Sequence, residues 1–308
     1  MGIPSLNVEL LRTFVTVVEA QGFTQAGARL HRTQPAVSIQ VKRLEQLVER
    51  PLFVRRKGRL CGLTEAGEVL LGYARHMLRI NDDALQAVGA SGLAGKVRLG
   101  TPEDFASKYL PLLLSRFATM HPRVQLEVCC DLSVKLLKSV RDGELDLALI
   151  RRNLEAEGGR GLYREPLHWV GSRMCQLIET DPLPLAVFPE GCAYRAHAID
   201  ALAANGRAWR LAYVSPSLVG IQAAVLGGLG VSVLPDSSLL PGHRTLGTAD
   251  GLPSLPSVEL ALEIAPSGLS RAGESLVDYI LGRVEDGFES LDPMTDEQVS
   301  TRVEVEDG

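Results

Sequence analysis

Apolar residues recur at spacings of three and four along the first ninety residues, which is the period of helices that bury one face. This pattern predicts a first helix over 8–19. A short second helix follows over 24–30 with Thr24 as its N-cap, and a longer third one over 33–48 with Thr33 as its N-cap, because a threonine oxygen can accept from free N–H groups of a first turn. Two short helices joined by a two-residue turn are typical of a helix-turn-helix.

Beyond a small, glycine-containing segment at 91–95, short apolar strands alternate with helical segments. A β-α-β-α-β series over 97–150 and a second such unit over 185–234 predict parallel sheets in two lobes. The fold class is therefore α/β, preceded by an all-α-type domain that carries a two-stranded wing.

The third predicted helix has two different faces. Apolar residues at spacings of four, three and four place one face in the core, whereas Gln34, Ser38 and Lys42 line another face with Pro35 and Ile39 beside them. Amide, hydroxyl and ammonium groups can bond base edges in a major groove, and Ile39 can meet a thymine methyl. The alternative is an ordinary amphipathic surface helix.

A basic run follows this helix at Arg55, Arg56 and Lys57, with Gly58 at its turn. We interpret it as the tip of a two-stranded wing whose cations contact phosphates, although a solvated loop has the same composition. Charge is concentrated here, because residues 1–60 hold ten Lys and Arg against four Glu and so carry +6 in a chain of net −5. The pattern favours a local polyanion-binding module over a solvated basic face without a partner.

Thr64 is the predicted N-cap of a long helix with a strict three-four alternation of seam residues. A partner helix from a second subunit is one interpretation of this seam, and packing against its own domain is the other. The seam consists of Leu71, Ala74, Leu78, Asn81, Leu85 and Val88.

Several motifs together resemble one family. The chain carries GFTQA at 22–26, TQPAVS at 33–38, RLE at 43–45, PLFVR at 51–55 and LTEAG at 63–67, and later GELDLAL at 143–149 and GLGVSVLP at 228–235. These closely resemble the winged helix and the effector domain of LysR-type transcriptional regulators, with the PecT-like subgroup the nearest in character. Two positions depart from the family pattern: Gly27 stands in place of the usual alanine, and Ile39 in place of a basic or polar residue.

The resemblance implies a sequence-specific regulator of transcription that binds double-stranded DNA and is controlled by an unknown small-molecule effector. It implies a homodimer or homotetramer, and RNA polymerase as a further partner. The expected domains are a winged helix-turn-helix (6–63), a linker dimerisation helix (64–90), a hinge (91–95), a two-lobed periplasmic-binding-protein-like effector domain (96–288) and a disordered acidic tail (289–308). The expected DNA contacts are Arg32, Thr33, Gln34, Pro35, Ser38, Ile39, Lys42, Arg55, Arg56 and Lys57.

The resemblance also implies that the chain crosses between the lobes near 166–169 and 264–266, with the effector in the cleft. Ligands of parallel sheets bind at the carboxyl ends of strands, where helix N-termini offer free N–H groups. The candidate effector contacts are therefore Thr101, Glu103, Asp104, Ser133, Cys192, Tyr194, Ser215 and Ser217.

Two of these candidates carry a specific hypothesis. Asp104 stands where carboxylate-binding relatives have Ser or Thr, so the effector is expected to be neutral or cationic, or the pocket weakly used, unless Asp104 merely caps its helix. Cys192 is similar in position to the peroxide-sensing cysteine of one branch of the family. No partner cysteine follows about nine residues later, which favours an inert buried thiol.

Other classes of protein are disfavoured. No P-loop, G-x-S-x-G or H-E-x-x-H occurs and the six histidines are dispersed, so we expect no enzyme, no catalytic residue, no cofactor and no metal site. An exported solute-binding protein does not explain the basic winged helix. Five scattered cysteines, no evident signal peptide and no unbroken apolar span indicate a cytoplasmic protein that does not enter a membrane.

Overall fold

The computed structural model describes residues 5–56, 59–89 and 93–285. The amino-terminal part contains four helices and a two-stranded antiparallel hairpin, in the order α1 (Val8–Glu19), α2 (Phe23–Arg29), α3 (Gln34–Leu47), β1 (Phe53–Arg56), β2 (Arg59–Leu63) and α4 (Glu65–Gly89). The hairpin is the predicted wing, and α2 with α3 is the predicted helix-turn-helix.

Side-chain caps account for most helix starts in this part. Asn7 Oδ1 accepts from Glu9 N (2.7 Å) at α1, Thr33 Oγ1 from Ala36 N (3.4 Å) at α3, and Thr64 Oγ1 from Gly67 N (3.0 Å) at α4. The prediction for Thr24 is wrong, because α2 begins at Phe23 and its N-cap is Gly22, which has no side chain to accept a bond.

The core of the winged helix comes from the apolar faces of its helices. Val37, Val41 and Leu44 of α3 are fully buried against α1. Phe14 of α1 packs edge to face against Phe53 of the wing, with the ring centroids 5.3 Å apart. This packing leaves the opposite face of α3 pointing outward.

The seam predicted on α4 divides between two environments. Ala74 and Leu78 are buried in the core of the winged helix, as the self-packing alternative requires, whereas Leu85 is 68% exposed. The exposed apolar residues of α4 also include Tyr73 and Ile80, which the predicted seam does not contain. The three-four row therefore does not form one continuous face for a partner helix, because α1 takes its first half.

The rest of the chain forms two lobes. Lobe I contains β3 (Gly95–Thr101), α5 (Glu103–Lys108), α6 (Leu110–Met120), β4 (Val124–Cys130), α7 (Ser133–Arg141), β5 (Leu147–Asn153), the first half of β6 (Arg160–Ser172), β11 (Ser257–Ile264) and α10 (Arg271–Glu285). Lobe II contains the second half of β6, β7 (Leu183–Val187), α8 (Ala193–Ala204), β8 (Trp209–Val214), α9 (Leu218–Leu226), β9 (Ser232–Pro235) and β10 (His243–Leu246).

The strand order places the carboxyl ends of the parallel strands at the junction of the lobes. One sheet runs β10-β6-β11-β5-β3-β4 with β9 also paired to β6, and β7 with β8 forms a separate parallel pair. In lobe I, β3 lies parallel to β4 and β5, as predicted, and β11 is antiparallel to β5. The α/β fold class with two lobes is thus confirmed.

The chain crosses between the lobes twice. Strand β6 makes the first crossing, since it pairs with β11 up to Pro166 and with β9 from Leu167, in agreement with the expected place. The second crossing differs from the expectation at 264–266. Leu252 packs in the core of lobe II and β11 already pairs with β5 from Val258, so the crossing lies over 252–257.

Within the described residues, no helix is both long enough and apolar enough to cross a bilayer. The expected tail at 289–308 and the first two residues of the expected hinge, 91 and 92, lie outside the described residues.

Candidate functional site: an exposed helix face and an interlobe cleft

The outer face of α3 carries the residues predicted to contact DNA. Thr33, Gln34, Pro35 and Lys42 are exposed, Ser38 is half-buried, and Ile39 is 57% exposed. Gln40 of the neighbouring row accepts a hydrogen bond from the Thr13 hydroxyl of α1 (2.6 Å), which holds α3 against α1. The structure therefore brings the predicted groups to one surface of a fixed helix.

The flanking basic residues are partly described. Arg32 lies exposed in the turn before α3 and forms an ion pair with Glu9 of α1. Arg55 and Arg56 lie on strand β1, and Lys57 lies outside the described residues.

Gly27 has a structural reason that its sequence position alone does not reveal. It is buried in α2, and a Cβ built on it would lie 2.7 Å from the carbonyl oxygen of Arg32 in the turn. The turn backbone closes on α2 here, because Arg32 N donates to Gly27 O (2.8 Å). A glycine allows this close approach at the expense of some helix propensity.

A cavity of about 440 Å³ lies between the two lobes. Six of the eight predicted effector residues line it, namely Glu103, Asp104, Ser133, Cys192, Tyr194 and Ser217. The other two are not part of its lining: Thr101 is fully buried and donates to Pro102 O (3.3 Å), and Ser215 Oγ accepts from Ser217 N (3.2 Å). The volume is within the range of small-molecule sites.

The sequence analysis missed other lining residues, among them Asp131, Phe188 and above all Arg151. Arg151 lies on β5, at the end of the apolar run 147–150, and its side chain is 3% exposed. A charged residue directly after the apolar run of a parallel strand is the signal that could have identified it.

Arg151 is the centre of a buried ionic cluster. Its Nη2 lies 2.8 Å from both Asp104 Oδ2 and Glu165 Oε2, and it also donates to the Tyr163 hydroxyl (3.2 Å). Tyr194 donates to Asp104 Oδ2 (3.0 Å). Burial acts to lower the pKa of Arg151, but the carboxylates outweigh it and the pKa is raised, so the guanidinium stays charged.

Asp104 does not cap its own helix, which was the alternative for this residue. It lies inside α5, whose N-cap is Pro102, and its carboxylate is used by Arg151 and Tyr194. Burial, followed by the charge of Asp104, raises the pKa of Tyr194 well above its usual value, so this hydroxyl remains a donor.

Three carboxylates of lobe I accept hydrogen bonds from lobe II. Glu103 accepts from Leu218 N (2.7 Å) and the Ser217 hydroxyl (3.2 Å) at the start of α9. Asp104 accepts from Tyr194 of α8, and Glu165 accepts from Ser237 N (2.6 Å) in the turn after β9. Protein carboxylates thus occupy donors on the lobe II side of the cleft.

Cys192 is the N-cap of α8 and lines the cleft. Burial raises the pKa of its thiol to about 11, so the thiol is protonated at neutral pH. This chemistry matches an inert thiol rather than a peroxide sensor.

Comparison with known proteins gives the family. Residues 8–68 match the bacterial regulatory helix-turn-helix protein family of the lysR type, and residues 90–284 match the LysR substrate binding domain. The regulator DgdR of Burkholderia cepacia is 37% identical over 271 residues (87% of this chain and 92% of DgdR), and PecT of Dickeya dadantii is 34% identical over 286 residues (93% and 89%). The crystal structure of ArgP from Mycobacterium tuberculosis shares the fold, with a TM-score of 0.69, 21% identity and coverage of 91% of this chain and 98% of ArgP.

The predicted resemblance, including its PecT-like character, is confirmed by these matches. The relatives are named transcriptional regulators, and their similarity extends over both the winged helix and the two lobes. The chain belongs to the LysR family of DNA-binding transcriptional regulators, with a helix-turn-helix part followed by an effector-binding substrate domain.

Proposed function

We propose that α3 enters the major groove of double-stranded DNA and reads bases, while the wing contacts phosphates. The observation that supports this most directly is the outward face of α3, where Gln34, Ser38 and Lys42 lie in one row on a helix anchored by its buried apolar face. Arg32 is exposed in the turn before this row, which suits a contact with a phosphate beside the groove.

The proposed division of the chain follows the predicted boundaries. Residues 6–63 bind DNA, 64–90 form the linker helix, 91–95 the hinge, 96–288 hold the effector, and 289–308 form an acidic tail. The interlobe cavity is the proposed effector site, with Glu103, Asp104, Ser133, Cys192, Tyr194 and Ser217 as contacts, because these residues line it. Thr101 and Ser215 are proposed to act through their neighbours rather than by contact.

The proposed coupling between effector and DNA runs through α4. Arg75 of α4 donates from Nη1 to Asp142 O of lobe I (2.9 Å) and lies 3.7 Å from Glu144, so the linker helix is tied directly to an effector lobe. In a homodimer or homotetramer, a change in the cleft would rotate subunits and alter the spacing of paired half-sites. The exposed apolar residues of α4, Tyr73 and Ile80, suit a contact between subunits.

We further propose that the protein acts without catalysis, in the cytoplasm where its DNA is, and with RNA polymerase as a partner at the promoter. The support is the regulator function of its relatives together with an interlobe site built for binding.

The test is the salt dependence and sequence preference of DNA binding by the full-length Lys42→Ala variant. A phosphate contact predicts a log K against log salt slope shallower by about one unit, and a base contact predicts relaxed preference at one position. Lys138→Ala is the matched control, since Lys138 is an exposed lysine of α7 in lobe I. If Lys42→Ala changes neither quantity, the proposed placement of α3 is wrong.

A further inference from the structure

The cleft between the lobes has an unusual distribution of charge. Its lining contains three carboxylates, those of Glu103, Asp104 and Asp131, and one cation, Arg151. A fourth carboxylate, Glu165, lies 2.8 Å from Arg151, so the single guanidinium is shared by two buried carboxylates. Lys135 of α7 pairs with Asp131 (3.0 Å), so these four carboxylates meet two cations and the site still carries a net negative charge.

Three donors that could bind an anionic ligand are already used by protein carboxylates. Leu218 N at the start of α9 donates to the Glu103 carboxylate. The Tyr194 hydroxyl donates to Asp104, and Ser237 N donates to Glu165. A carboxylate ligand that used one of these three donors would displace a protein carboxylate and leave it without a partner, which costs more free energy than one hydrogen bond returns.

One polar group of a residue that lines the cleft lacks a hydrogen-bond partner among the described residues. Arg151 Nη1 is buried and has no hydrogen-bond partner among the described residues, although Nε and Nη2 of the same guanidinium are bonded. An N–H donor in this position calls for an oxygen acceptor on the ligand. Since two carboxylates already share this guanidinium, a neutral oxygen suits it better than a third carboxylate.

We infer that the effector is a small amine: a protonated ammonium group that lies near Glu103 and Asp131, a neutral oxygen acceptor that bonds Arg151 Nη1, and a compact apolar body. The apolar body follows from Pro102, Leu132 and Phe188 in the lining. This inference rests on the proposed function, because it names the ligand class of the proposed effector site.

The experiment compares four probes with the same apolar side chain that differ in whether they carry an ammonium group and in whether they end in an amide or a carboxylate. Leucinamide has the ammonium and a neutral amide, leucine has the ammonium and a carboxylate, isocaproamide has only the amide, and isocaproate has only the carboxylate. Binding to the full-length protein is measured by isothermal titration at a pH where the amine is protonated. Leucinamide is expected to bind tightest and isocaproate weakest, with a gap of at least about tenfold, the size of one partly screened charge contact.

Charge-removing variants locate the effect. Glu103→Gln and Asp131→Asn should each lower the affinity for leucinamide and reduce the ratio of its affinity to that of isocaproate. Two variants are used so that a folding defect in one of them does not decide the result. Glu179→Gln is the matched control, because Glu179 is an exposed glutamate of lobe II outside the cavity lining. If neither cleft variant changes the gap, the inferred ammonium position is wrong.

A blocking variant separates this inference from the proposed function. Ala193→Trp places an indole in the cavity at the first residue of α8. Tightest binding by isocaproate that Ala193→Trp abolishes would overturn the amine class and keep the cleft as the effector site, and tightest binding by leucine would overturn the neutral oxygen acceptor. Binding that survives Ala193→Trp would overturn both, and the absence of binding by leucinamide at millimolar concentration would overturn the amine class.

Discussion

Replacing Arg151 with methionine is the sharpest test of how the two lobes are held together. The change keeps most of the side-chain volume and removes the only cation that contacts Asp104 and Glu165 among the described residues. The side chains of these two carboxylates are 5% and 7% exposed, so water cannot replace the guanidinium.

The expected cost follows from this burial. Breaking a buried ion pair from one side costs about 3–5 kcal/mol, because a charge remains in the interior without compensation. In an effector domain of the expected size, that loss corresponds to a fall in Tm of about 6–20 °C.

Urea unfolding followed by circular dichroism measures the loss of stability. Adding Asp104→Asn to Arg151→Met should recover part of the lost stability, because one buried charge is then removed. Lys96→Met is the control for loss of an ion pair, because Lys96 and Glu127 are about half exposed and their pair is expected to contribute at most about 1 kcal/mol. A loss below about 1 kcal/mol for Arg151→Met, or no recovery when Asp104→Asn is added, would refute the reasoning.

Three further changes have defined outcomes. Ser217→Ala removes the N-cap of α9 and a donor to Glu103, so urea unfolding should show a loss of about 0.5–2 kcal/mol, and an unchanged midpoint would contradict the cap. Leu78→Ala should lower the free energy of unfolding by about 2–5 kcal/mol, because its side chain is buried in the winged-helix core, whereas Leu85→Ala should change it by at most about 0.5 kcal/mol. Equal losses for the two variants would indicate that one face of α4 is covered along its whole length. Cys192, with a pKa of about 11, should resist alkylation at neutral pH under native conditions, whereas the exposed Cys175 should react. Peptide mass spectrometry measures the labelling of each cysteine, and equal labelling of the two would indicate a reactive Cys192.

The sequence predicts the winged helix closely because its signals are local. The first and third helices begin within one residue of their expected starts, and the Thr33 and Thr64 caps form as predicted, since capping needs only residues within one turn. The failure at Thr24 is local too: the helix starts one residue earlier, after Gly22, and no side chain then caps it.

The seam of α4 shows where a periodic pattern stops being informative. A three-four row predicts that one face of a helix is covered, and Leu78 is indeed covered. The pattern contains nothing about which surface does the covering. Here α1 of the same chain reaches the first half of α4, and Leu85 stays exposed.

The order of strands and helices, the polar outer face of α3 and the helix starts beside the cleft follow from the amino-acid sequence alone, because each depends on residues close together in the chain. Which groups meet in that cleft depends on the packing of the lobes. Glu103 and Leu218 are 115 residues apart, and Arg151 and Asp104 are 47 apart, so no local pattern relates them. Burial then decides the chemistry, because charges that are brought together away from water must be paired. For this reason Arg151 lies between Asp104 and Glu165, and Glu103 accepts a hydrogen bond from Leu218 N across the cleft.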